Sequence, residues 1–254
     1  MNSCASQILS ALFPRRCPVC GQFTGSAALL CRECAANLDS EYNRLCPVCH
    51  QVAQHCQCAV DAVSGTPLLC CGFYEAGNTT AILSRLVFSL KQNTEDSSAH
   101  VLARDLSRVI LKQFISEGED IRTWTITYAP RSSAGYARHG FDQSRRLAKL
   151  CARFTGAKFQ PLFRRRGGGV QKELSAAERH VNAESIRLLH PTRHYAGKYL
   201  VIDDIVTTGA TLGECAAQLR QCGAKDVRIA APLRALPRYP KKEIWFAGAG
   251  NNHQ

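Results

Sequence analysis

Long apolar runs are missing from this chain of 254 residues. No stretch approaches the roughly 20 residues a helix needs to cross a bilayer, so insertion into a membrane is not expected. The first residues, MNSCASQILSALFPRRCP, lack a basic start and hold only a brief apolar run, so they do not read as a secretory signal. The expected compartment is the cytoplasm. Aromatic residues are few, with two Trp, seven Tyr and ten Phe, which counts against a surface that grips nucleic acid mainly by stacking on bases. Acidic residues are scarce in one place. Between residues 126 and 200 fifteen Lys and Arg stand against four Asp and Glu, a net of +11, nearly all of the chain's +12 excess. Residues 1–66 are balanced, four against four. So uneven a charge is either a solvated basic surface or, more sharply, a segment that surrounds a polyanion.

Cysteine, by contrast, is abundant. Eight of the fourteen fall between residues 17 and 58 in short-spaced pairs. In a reducing compartment such clustering means metal rather than disulfides. Cys17, Cys20, Cys31 and Cys34 read C-x2-C-x10-C-x2-C; Cys46, Cys49, Cys56 and Cys58 read C-x2-C-x6-C-x-C. Thiolates two apart on a tight turn can share one tetrahedral ion, and two such turns close a structural zinc site. One or two zinc ions are expected, with His50 or His55 as substitute ligands in the tighter second set and interleaved pairing left open. A segment this short has little core of its own, so metal would supply much of its folding energy. A fully ligated four-cysteine site has no open position and is therefore not read as catalytic.

The stretch that organises the rest is Tyr199 to Thr211, YLVIDDIVTTGAT. A buried strand ends in adjacent carboxylates, Asp203 and Asp204, then passes through a small polar loop into a helix. Amides at such a turn can cradle a phosphate at the positive end of the helix dipole. Thr207, Thr208 and Thr211 add hydroxyl donors, and Gly209 and Ala210 let the backbone approach. Carboxylates would repel a bare phosphate, but they fit a sugar phosphate whose hydroxyls need acceptors. The competing explanation is an ordinary turn capped by the aspartates. The string resembles the 5-phosphoribosyl-1-pyrophosphate (PRPP) motif of type I phosphoribosyltransferases. The resemblance implies that Asp203 and Asp204 hold ribose hydroxyls and that Thr207 to Thr211 wrap the 5-phosphate.

Upstream, LLCCGFYEA reads as a strand. Ile82, Leu83, Leu86, Val87 and Leu90 share one face of a helix ending in Lys91, which is either a cation at the helix end or a residue facing a site. Val101, Leu102, Leu106, Val109, Ile110 and Phe114 mark a second helix. TWTITYAP reads as a strand that stops at Pro130. Beyond it, Arg131, Arg138, His139 and Gly140 form a loop able to hold a pyrophosphate through amides and guanidinium forks. A helix from Asp142 points Leu147, Leu150, Cys151 and Phe154 inward. FQPLFRR reads as one strand. Arg164, Arg165 and Arg166 beside Gly167, Gly168 and Gly169 suggest a cationic flap, followed by a helix closing on ESIRL. DVRIAAPLRA reads as the last buried strand.

Taken together, these pieces resemble the ComF family, which includes the GntX-type proteins and joins a double zinc ribbon to a phosphoribosyltransferase-like domain. The matching residues are the cysteine pairs of 17–58, Phe73-Tyr74, Lys91, Pro130, the string Arg138-His139-Gly140-Phe141-Asp142-Gln143-Ser144, then Gln171, Leu174-Ser175, Arg179 and Asn182, and finally the DDIVTTGAT string. His139 stands where Arg is common, and Asp142 where Asn is usual. The fold so implied is α/β, a type I phosphoribosyltransferase-like parallel sheet flanked by helices. The division is a double zinc ribbon over 1–66, the main domain over 67–236 and a C-terminal tail over 237–254. The ligand implied is PRPP or another phosphoribosyl compound, carried with Mg2+. Arg131, Arg138, Gly140, Arg164 and Arg179 are the candidates around its pyrophosphate. The implied role is in competence, DNA uptake or the use of imported DNA, as a phosphoribosyltransferase. Two alternatives stand beside it. One is a non-catalytic module binding single-stranded DNA or DNA-uptake proteins, with a regulatory PRPP pocket. The other is a metabolic purine-type phosphoribosyltransferase.

Overall fold

The computed structural model describes residues 15–24, 28–56, 58, 66, 68–75, 77–92, 97–131, 141–165 and 185–236. Its elements in chain order are α1 (Arg32–Tyr42), β1 (Leu68–Leu69), β2 (Gly72–Tyr74), α2 (Ile82–Gln92), α3 (Ser97–Ser116), β3 (Trp124–Tyr128), α4 (Gln143–Thr155), β4 (Lys158–Phe159), β5 (Phe163–Arg165), β6 (Ile186–Leu188), β7 (Lys198–Ile202), β8 (Ile205–Val206), α5 (Ala210–Gln221), β9 (Asp226–Ala230) and β10 (Leu233–Ala235).

The main sheet has the order β1-β9-β7-β3-β4, every pair parallel. β7 is central, and both its faces are covered, which is why its sequence is an unbroken apolar run. Leu200 and Ile202 join the core shared with α2, α3 and α4, while Tyr199 and Val201 join the core under α5. The expected parallel α/β sheet flanked by helices is thus the observed architecture. The chain leaves β3 through α4 to β4 on one side and leaves β7 through α5 to β9 on the other. α4 and α5 accordingly bury their apolar faces in different cores. Between β3 and β7 the strand order changes direction, and a crevice at the carboxyl ends of such strands is where open α/β sheets take ligands.

Three neighbouring strands do not stop at the edge of this sheet. After two residues each resumes in a second, smaller parallel sheet of order β2-β10-β8. The joints are Cys70-Cys71, Ala231-Pro232 and Asp203-Asp204. Backbone bonds cross the seam: Asp203 N donates to Ala230 O (3.0 Å) and Cys71 N to Pro232 O (3.0 Å). LLCCGFYEA and DVRIAAPLRA therefore each give two strands where one was expected, because proline and the paired cysteines or carboxylates interrupt the ladder.

Other expectations need correction. FQPLFRR forms β4 and β5, divided at Gln160-Pro161, and β5 leaves the main sheet to pair antiparallel with β6. ESIRL ends in strand β6 rather than in a helix; its β-branched Ile186 is fully buried there. Phe154, in the last turn of α4, is 40% exposed, and its ring meets His100 of α3 edge-on rather than the buried core. The α2 and α3 faces are as read, with Leu83, Leu86, Val87 and Leu90 buried on the first and Leu102, Leu106, Ile110 and Phe114 on the second. The first cysteine segment joins the main core through Cys17, Cys31, Cys34 and Leu38. Among the described residues no helix is long and apolar enough to cross a membrane.

Candidate functional site

The Asp203-Asp204 joint sits at the switch between β3 and β7. Beyond it β8 feeds Thr207, Thr208 and Gly209, and α5 begins at Ala210. Gly209 is the N-cap residue of α5 in the left-handed region (φ 77°), which costs glycine little, and no side chain caps the helix. Thr208 Oγ1 accepts a long bond from Ala210 N (3.4 Å). The first-turn amides thus point into the loop with their positive ends available to an anion. The loop encloses a cavity of about 140 Å³ lined by Arg165, Asp203, Ile205 and every residue from Val206 to Leu212.

Two segments from outside the motif complete the site. Ser144, near the start of α4, donates its hydroxyl to Asp203 Oδ1 (2.7 Å), and Asp204 N donates to the same oxygen (2.9 Å). Asp204 Oδ1 accepts from Ile205 N (2.8 Å). Burial, then the neighbouring Asp204 charge, push the Asp203 carboxyl up to about 8. Asp142 caps α4 by accepting from Arg145 N (3.1 Å), and its other oxygen accepts from Arg131 N (2.9 Å). One carboxylate thus ties the exit of β3 to the entry of α4. Burial raises its pKa, opposed by these two amides.

Of the basic candidates, Arg131 has a buried Nη1 without a hydrogen-bond partner. Arg164 does not line the cavity. Strand alternation on β5 exposes it and turns the next residue, Arg165, onto the cavity instead. Burial lowers the Arg165 guanidinium's pKa, Asp203 opposing, and its Nε donates to Ser185 Oγ (3.1 Å). Arg138, Gly140 and Arg179, with His139, the Gly167–Gly169 flap and the tail, lie outside the described residues. Ser144 and Gln143 lie in the Arg138–Ser144 string, whose local pattern assigns neither a role. Gln143 is 1% exposed and neither amide atom has a partner. Lys91 lies in the last turn of α2 and lines a separate cavity of about 420 Å³ with Tyr74, Arg85 and Phe88.

The cysteines assemble in chain order, not interleaved. The sulfurs of Cys17, Cys20, Cys31 and Cys34 lie within 4.8 Å of one another, as do those of Cys46, Cys49, Cys56 and Cys58, and neither histidine joins them. A tetrahedron of sulfurs about 2.3 Å from zinc has edges of about 3.8 Å, so each set could hold one zinc ion. The two CPVC turns are built alike. Gly21 N donates to Cys17 O (2.8 Å) and His50 N to Cys46 O (3.0 Å), with both residues at positive φ, 76° and 55°. Bridges Arg16–Phe23 and Leu45–Val52 close the two turns in the same register.

No protein-family model matches the chain. Over 227 residues it is 32% identical to the DNA utilization protein YhgH of Salmonella typhi, covering 82% of this chain and 97% of that relative. Over 235 residues it is 26% identical to the competence protein ComFC of Streptococcus pneumoniae, covering 86% of this chain and all of the relative. A solved hypoxanthine phosphoribosyltransferase from Staphylococcus aureus aligns with a TM-score of 0.33 and 15% identity, over 57% of this chain and 69% of that one. With YhgH matched along nearly its whole length at this identity, the chain belongs to the ComF family, the family of YhgH and ComFC.

Proposed function

We propose that the protein binds PRPP, as its magnesium complex, at the Asp203–Thr211 site and acts in the cytoplasm in the uptake or use of DNA, as a phosphoribosyltransferase. The observation that carries this reading is the uncapped start of α5 beside two carboxylates at the switch point. Loop amides and threonine hydroxyls take the 5-phosphate, and the free oxygens of Asp203 and Asp204 take the ribose hydroxyls. Burial and the neighbouring Asp204 charge favour the protonated form of Asp203, which lessens the repulsion a second carboxylate would bring to an arriving phosphate. The unpartnered Nη1 of Arg131, with Arg165 across the cavity, suits the leaving pyrophosphate. Arg138, Gly140 and Arg179 belong to the same proposal, as does Arg164 as a more distant cation. Asp203 and Asp204 are the carboxylates that would meet magnesium carried by the ligand, which would supply charge neutralisation as a hard cation that keeps its waters. When the bond from the anomeric carbon to the pyrophosphate oxygen breaks, pyrophosphate departs with the electron pair and an acceptor nucleophile takes its place. Zinc in the cysteine clusters is structural, and the ribbon and tail boundaries at 66 and 236 belong to this reading. Titration calorimetry with PRPP and magnesium tests it. Heat that disappears in Asp203→Asn and Asp204→Asn supports the site; no heat in the wild type, or heat that both variants retain, overturns it.

A second reading has its own observation. Helix α4 carries Arg145, Lys149 and Arg153 on one exposed face and no acidic residue at all. Such a stripe can follow a phosphate backbone, as single-stranded DNA would offer, and its binding would fall steeply with salt. A gel-shift salt titration of Lys149→Glu against wild type distinguishes it from PRPP binding alone.

A further inference from the structure

Arg234 lies on β10 and is 3% exposed. Its Nη1 donates to the carbonyl of Cys56 and its Nη2 to that of Cys58, the last two ligand positions of the second cysteine cluster. Its Nε is buried without a partner. Among the described residues no carboxylate pairs with it. A buried cation without a counter-charge is costly. The group able to supply one is the cluster itself, since four thiolates on a divalent ion carry a net charge of about −2.

The backbone of the same residue faces the other way. Arg234 is registered against Phe73 of β2 and Val206 of β8. Phe73 packs with Cys46, Ala53 and Cys56 in a small core of its own. Val206 lines the phosphate cavity and immediately precedes Thr207. One side chain and one strand pairing therefore span the distance from the cluster to the loop.

We propose that Arg234 is a positioning residue through which the metal-loaded second cluster holds the 205–211 loop in place. The loop's role as a phosphate site rests on the function proposed above; the link from cluster to loop does not. Three things follow from the geometry. Loss of metal from the second cluster frees the Cys56–Cys58 carbonyls and leaves Arg234 without counter-charge. β10 then loses its anchor at that register. β8, which pairs with β10 for two residues only, loosens with it.

The experiment is hydrogen–deuterium exchange of the zinc-loaded full chain, read over 205–211, with zinc content and PRPP-magnesium calorimetry alongside. In Cys49→Ser, one zinc is lost and loop exchange speeds up about tenfold or more. Cys20→Ser removes the equivalent turn ligand of the first cluster; it loses one zinc and leaves loop exchange within about twofold of wild type. Arg234→Met speeds both loop exchange and zinc release to a chelator, while Arg234→Lys restores part of each. Should Arg234→Met not fold, graded chelation of wild type gives the same readout. Loop exchange that ignores zinc content, or that rises equally in Cys20→Ser and Cys49→Ser, overturns the link. Loop exchange that responds while wild type shows no PRPP heat upholds the link and removes the phosphate-site reading.

Discussion

Four thiols crowd within 4.8 Å at each cysteine cluster, and at the end of β7 the carboxylates of Asp142 and Asp204 lie close enough to Asp203 to act on its charge. Both are gatherings of acidic groups that would repel one another if all were ionised, and the chain resolves them differently. In the clusters, soft donors converge from tight turns on one point and no coordination position stays open. At the cavity, the bonds on Asp203 and Asp204 fall on the Oδ1 atoms, from Ser144 and local amides. Asp203 also lines the cavity. One arrangement could hold a metal ion, and the other leaves a carboxyl raised by burial and a like charge. Stability and binding should therefore respond with opposite signs to removal of a single acidic group.

The largest effect belongs to the clusters. Cys34→Ala removes a ligand and opens the main core where Cys34 packs near Cys17 and Leu38. It should lose one zinc and about 3 kcal/mol or more of stability in urea unfolding. Cys56→Ala should also lose one zinc but less stability, since its core is the small one around Phe73 and Cys70. A larger loss from Cys56→Ala would break the comparison.

Asp203→Asn should act in the opposite direction. The folded carboxyl titrates near 8 against a normal value near 3.8. Below the normal value both folded and unfolded chains are protonated and nothing is lost. Between about pH 4 and 8 the unfolded chain ionises first, so wild-type stability falls as pH rises, and above about 8 the loss is complete. The Asn variant escapes this slope and should be the more stable protein at pH 8.5, with PRPP heat abolished. Urea midpoints at pH 5 and 8.5 check the sign; a variant less stable at both would show that Asp203 is not strained.

Ser144→Ala removes a donor that favours the ionised carboxyl. The Asp203 midpoint, followed by carboxyl carbon NMR, should move upward, with a stability change of about 1 kcal/mol. The smallest effects compare the two CPVC turns. Gly21→Ala places a side chain at positive φ and should cost about 1 kcal/mol, whereas His50→Gly should gain a few tenths. Thermal unfolding of both variants tests whether the turns are equivalent.

The elements that sequence reading found were those whose signal is local. Spacing carried the cysteine sets, and the apolar run before two aspartates carried β7 and its loop. Helical periodicity carried α2 and α3, whose buried residues are nearly those expected. The misreadings share a cause. β1 and β2 looked like one strand because a two-residue joint between sheets leaves no period of its own. Arg165 could not be told from its neighbours as the residue that lines the cavity, because the parity of β5 is set by its partner β6, about twenty residues on. Phe154 keeps the helical period but lies in the last turn of α4, where its ring meets His100 near the start of α3 instead of the core. Ser144 went without a role because its partner, Asp203, is 59 positions away.

The sequence by itself determined the cysteine donor sets, the strand–loop–helix around Asp203 and Asp204, and the basic middle segment. Each of these follows from side-chain chemistry at short range. Tertiary structure alone decided that the cysteine sets are sequential rather than interleaved, and that Asp203 is raised by burial and a like charge. It alone placed Arg165 on the cavity and Arg234 between the second cluster and the loop. Those outcomes depend on which strands become neighbours, and strand pairing brings together residues whose separation in the chain carries no local signal.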